Sequence, residues 1–147
     1  MSDYYVHRLQ VSMPLALAEA IANGAIAAGR DVGLLPLTVA VLDAGGVLVV
    51  LKREDGSGVL RGDIAIGKAW GALGMGISSR TIRDRLKERP AFQSALAAAS
   101  DGRFIPVPGG VLVLNDKDEY AAVTAVQRAG HKPHPEQPAA NWRDAGL

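Results

Sequence analysis

The chain has 147 residues, enough to bury one hydrophobic core and too few for two independent ones. Sixteen Lys and Arg against fifteen Asp and Glu leave a net charge of +1, so no general attraction to nucleic acid or to an anionic membrane is expected. Without cysteine there is no disulfide framework, iron–sulfur cluster or thiolate nucleophile, which fits a cytoplasmic protein. Met1 to Gln10 is polar and lacks the pattern of a secretory signal, and no apolar run approaches the roughly 20 residues that span a bilayer.

Ser12 and Pro14 lead into an Ala-rich stretch in which Leu17, Ile21, Ala25 and Ala28 recur at helical spacing, with Gly29 and Gly33 placed to end the helix. Leu37 to Asp43 and Val47 to Arg53 are aliphatic runs separated by Ala44-Gly45-Gly46, which predicts an antiparallel hairpin. Glu54 to Gly58 is turn chemistry, and Asp63 is the economical cap for a helix through Ile64, Ile66, Lys68 and Trp70. Gly67, Gly71 and Gly74 lower the propensity of that helix, so close packing on one side is expected there. Ser78 or Ser79 opens a short charged helix. In it Arg80, Arg83, Arg85, Lys87 and Arg89 alternate with Asp84 and Glu88, the pattern of a solvated face. Pro90 suits the first turn of a further helix, Ala91 to Ser100.

Phe104 to Gly110 reads as a loop stiffened by two prolines and ending in two glycines. It leads into a strand from Val111 to Asn115, a polar turn, and a strand from Tyr120 to Val126. The residues from 128 to 147 carry Gly130, Pro133, Pro135 and Pro138 and are expected to be irregular, within a single domain that spans 1–147. The order α-β-β-α-α-α-β-β predicts an α/β (α+β) fold with an antiparallel sheet and helices packed against it.

Four blocks in this order resemble the GlcG/HbpS-like family of glycolate-utilisation and haem-binding proteins, to which the C-terminal domain of PduO is related. They are Leu37 to Gly46, Arg53-Glu54-Asp55-Gly56, Asp63 to Ala69, and Pro106 to Val111. The resemblance implies a profilin-like, mostly antiparallel sheet of about five strands, assembly into dimers or larger homo-oligomers, and pockets near the subunit contacts. Relatives include haem-binding and haem-degrading proteins, partners in glycolate or diol metabolism and lyases of hydroxylaminobenzoates. Where members follow the last strand with a Gly-Val-Ser-Gly loop and acidic residues, this chain has Ala125 to His131.

His131, His134 and Glu136 are candidates for proton transfer, since histidine titrates near neutral pH; two imidazoles and a carboxylate also suit a metal, although no metal is assigned. Arg53 and Lys68 are candidates for holding a ligand carboxylate, with a lysine on the wet side of its helix as the simpler reading of Lys68. Pro108, Gly109 and Gly110 are candidates for a rigid pocket wall that offers backbone N–H groups to an anion, or for a sharp entry into the following strand. Trp142 is a candidate contact to the ligand or to a neighbouring subunit. The leading expectation is a cytoplasmic homo-oligomer that binds a carboxylated or aromatic small molecule, with no nucleic-acid or membrane partner. Two alternatives stand beside it: a lyase or isomerase using His131, His134 or Glu136 as acid and base, and a haem or corrinoid carrier.

Overall fold

The computed structural model describes residues 7–117 and 120–128, with side chains through 117. Helix α1 (Leu15–Asp31) presents Ala18, Ile21, Ala22 and Ala25 to the first strand of the sheet, β1 (Leu37–Asp43). Successive β1 side chains point to opposite faces. Leu37, Val39 and Val41 therefore meet α1, while Leu42 packs on the other face against Ala69 and Ala72 of α2 (Arg61–Met75). Covering both faces explains why β1 is buried without a break from Leu37 to Leu42 and does not alternate between apolar and exposed polar residues.

The turn after β1 is set by Asp43, whose Oδ1 accepts from Gly45 N at 2.9 Å and Val47 N at 3.0 Å. Gly46 supplies the left-handed φ of 78° that leads into β2 (Leu48–Arg53). Helices α2, α3 (Ser79–Leu86) and α4 (Pro90–Ala99) then connect β2 to β3 (Gly110–Leu114), and β4 (Tyr120–Arg128) inserts between β1 and β3. All pairings are antiparallel, in the order β2-β1-β4-β3. Among the described residues the sheet has four strands, against about five expected. The fold is mixed α/β with four helices on a small antiparallel sheet.

Three details differ from the sequence reading. Gly29 does not end α1; it lies inside the helix, where a Cβ would collide with the Leu37 side chain, and Gly33 at φ 68° follows the true end. Asp63 does not cap α2, which begins two residues earlier with Leu60 at the N-cap; Asp63 sits in the first turn, where a carboxylate still complements the helix dipole. Lys68 is not on a wet face: it is 5% exposed. The glycines of α2 behave as expected at two positions, since a Cβ on Gly67 would lie 2.8 Å from Arg103 O and one on Gly71 would lie 3.1 Å from the Phe104 ring. Ser78 caps α3 by accepting from Thr81 N, and Pro90 is the first residue of α4.

Candidate functional site

Two corners of the molecule carry the chemistry-bearing residues. At the β3 edge, the loop from Phe104 folds back under α2. Gly109 has a φ of 130°, a conformation that side chains rarely adopt. Gly110 is confined for a different reason: a Cβ there would sit 2.5 Å from the carbonyl oxygen of Lys68 and 3.0 Å from Ser79 Oγ. Its N–H donates to Ser79 Oγ at 2.7 Å, and both residues are buried. The Gly110 amide, one of the two considered for an anion, is thus committed inside the protein. This junction binds β3 to the start of α3 and the middle of α2.

The second corner lies where the end of α1 meets the end of β2. A cleft of about 510 Å³ is lined by Ile26 and Arg30 of α1, Pro36, Lys52, Arg53, Glu54 and Asp55. That volume is in the range of small-molecule sites, roughly 300–1,000 Å³. Glu54 organises it: Oε2 accepts from Leu37 N at 2.7 Å, Oε1 accepts from Arg30 Nε at 2.9 Å, and its own N–H donates to Leu37 O at 2.9 Å. One carboxylate thereby ties α1, the start of β1 and the end of β2 together. Lys52 donates to Asn23 Oδ1 at 2.8 Å and lies 3.8 Å from Glu19. Arg53 is exposed, and among the described residues its guanidinium has no hydrogen-bond or ion-pair partner.

The model of the HbpS-like family, described as haem-degrading HbpS-like proteins, matches residues 13–137. The chain belongs to this HbpS-like family. Several solved structures share its fold. The Klebsiella pneumoniae protein ORFY is 22% identical with a TM-score of 0.71, covering 88% of this chain and 85% of that one. A double mutant of HbpS from Streptomyces reticuli is 23% identical with a TM-score of 0.67, covering 88% and 82%. PduOC in complex with haem is 18% identical with a TM-score of 0.67, covering 76% and 79%. No curated protein matches the chain in sequence.

Within this HbpS-like chain the structure brings Lys68 and Gly110 together, with Pro108 and Gly109 on the adjoining loop. It does not bring Arg53 to them. Arg53 is on β2 and Gly110 on β3, the two outer strands, so three strand spacings of about 14 Å in total separate the two strands. His131, His134, Glu136 and Trp142 lie outside the described residues, and among those described no group of His, Cys, Asp or Glu is arranged to hold a metal ion. No described helix is long and apolar enough to cross a membrane. Ser79 and the Glu54 clamp were not foreseen. Ser79 stood beside Ser78, either of which suits a cap, and Glu54 stood within a string of turn formers; a buried partner far along the chain leaves no local signal.

Proposed function

We propose that this protein binds a small carboxylate-bearing molecule in the Arg53 cleft, and that haem, a dicarboxylate, is the ligand to which its family points. The observation that carries this reading is Arg53 itself. Its two cationic neighbours in the cleft are engaged, Arg30 with Glu54 and Lys52 with Asn23, whereas Arg53 has no such partner among the described residues. A guanidinium can grip a carboxylate through two parallel N–H···O bonds, a geometry that an ammonium does not offer. Ile26 and Pro36 supply apolar surface beside it for the body of a ligand.

The cleft fits haem at its carboxylates: Arg53 would hold one propionate, and Arg30, released from or shared with Glu54, the other. Among the described residues its lining contains no histidine or thiolate for the iron. Bound haem would supply a redox-active iron, while the residues of the cleft bind and orient the macrocycle through its acid groups. The PduOC complex with haem supports this choice of ligand on the same fold.

Titration with haemin, followed in the visible absorption band, tests the proposal. Saturable binding is expected for haemin, with at least tenfold weaker binding for its dimethyl ester and for haemin with Arg53→Ala, because a hydrogen bond to a charged group contributes about 1.5–3 kcal/mol. Equal affinity for haemin and its ester would overturn the carboxylate reading. Saturable binding of carboxylated aromatic acids without any haemin binding would keep that reading and remove haem.

A further inference from the structure

We propose that the outer face of α4 is a self-complementary interface, on which a second copy of this chain packs its own α4 antiparallel about a twofold axis close to Ala95. Helix α4 is amphipathic in the reverse of the usual sense. Two polar residues, one in the helix and one at its C-cap, turn inward: Gln93 Nε2 donates to Leu86 O at 2.8 Å, and Ser100 Oγ donates to Ala97 O and accepts from Phe104 N, each at 3.0 Å, while Ser94 is exposed at the edge of the outer face. Leu96 packs on the cluster of Ile82, Leu86 and Phe104. The remaining face is Ala91, Phe92, Ala95, Ala98 and Ala99, all exposed, and no residue of the helix proper is fully buried. At 100° per residue these five positions fall in one arc centred on Ala95. A surface helix ordinarily presents charge there.

Three features identify the occupant as another copy. The first is shape: beside Ala99 lies an apolar groove of about 170 Å³ lined by residues that include Trp70, Met75, Leu96 and Phe104, while Phe92, 37% exposed, projects from the other end of the same helix. In an antiparallel pair with its axis between positions 95 and 96, Phe92 of each copy falls opposite Ala99 of the other, at that groove. The second is charge. Arg89 lies just before α4, stacked 4.5 Å from the Phe92 ring centroid, and the exposed Asp101 lies just after it, so the antiparallel arrangement sets each Arg89 beside Asp101 of the second copy. The third is residue size, since alanines on the contact face let two helices approach closely. Knob and groove, and cation and anion, sit at opposite ends of one surface, which is the requirement of an isologous contact.

The absence of cysteine makes the test direct. Ala95→Cys, oxidised with copper phenanthroline at micromolar concentration, should convert to a covalent species of twice the 15.3 kDa chain mass. Leu51→Cys, on the exposed edge strand β2, should stay at the monomer mass under the same treatment. In light scattering Ala95→Glu should weaken self-association at least tenfold, with the melting temperature of the isolated chain unchanged. Three results overturn the proposal: a monomeric wild-type chain at tens of micromolar, association that Ala95→Glu leaves intact, or a monomer that Ala95→Glu destabilises. The last would mean that residues of the same chain cover the face.

Discussion

The two edges of the sheet solve opposite problems. At β3 the backbone of Gly110 presses on the carbonyl of Lys68, and the Gly110 N–H is donated to Ser79 Oγ. At β2 a single carboxylate, Glu54, holds three elements in place and leaves Arg53 outside its network. The first edge is sealed by contact distances and the second is held open by hydrogen bonds. A cleft next to a charged clamp can admit a ligand without disturbing the core, whereas a ligand at the glycine junction would have to displace packed backbone.

This contrast is open to attack by substitution. Gly110→Val should be the most damaging change, since even the first carbon of the side chain lies 2.5 Å from Lys68 O; overpacking of this kind costs about 3 kcal/mol or more, a fall in melting temperature on the order of 10 °C by calorimetry. A melting temperature within a degree of wild type would show that the edge is not sealed. Glu54→Ala should come next. It strands the Leu37 N–H, and the loss in urea denaturation should be about 1–3 kcal/mol, mostly from that half-buried bond because Arg30 is 71% exposed and its ion pair contributes little. Arg53→Ala should leave urea stability within about 0.5 kcal/mol while weakening haemin at least tenfold, separating binding from folding at the same corner. Lys117→Ala, in the exposed turn after β3, should change neither quantity measurably.

How much of this was legible in the sequence depends on the range of the interaction. The β1–β2 hairpin follows from two aliphatic runs and a glycine pair, and α4 starts at Pro90 as its ring geometry favours. The glycines of α2 announced a close neighbour, which proved to be the loop at Arg103 to Ile105. The burial of Lys68 was not legible, because helical periodicity alone does not say that the loop and β3 close over that side of α2. In the sequence Gly109 and Gly110 together read as a sharp entry into the strand. Of the two, Gly109 alone has the positive φ, and Gly110 is required by contact with Lys68, a residue far along the chain. Of the proposed ligand contacts, Arg53 stood out only through its motif, and the cleft around it arises from α1, the segment at Pro36 and β2 meeting in three dimensions.

The central claim is that the ligand enters at the β2 edge and leaves the β3 edge undisturbed. Amide chemical-shift mapping with gallium protoporphyrin, a diamagnetic dicarboxylate analogue of haem, tests it most directly. The account predicts that the largest perturbations fall on Ile26, Arg30 and the run from Lys52 to Asp55, with Lys68, Ser79 and Gly110 unmoved. Perturbations centred on Lys68, Gly109 and Gly110, with Arg53 and Glu54 silent, would contradict it.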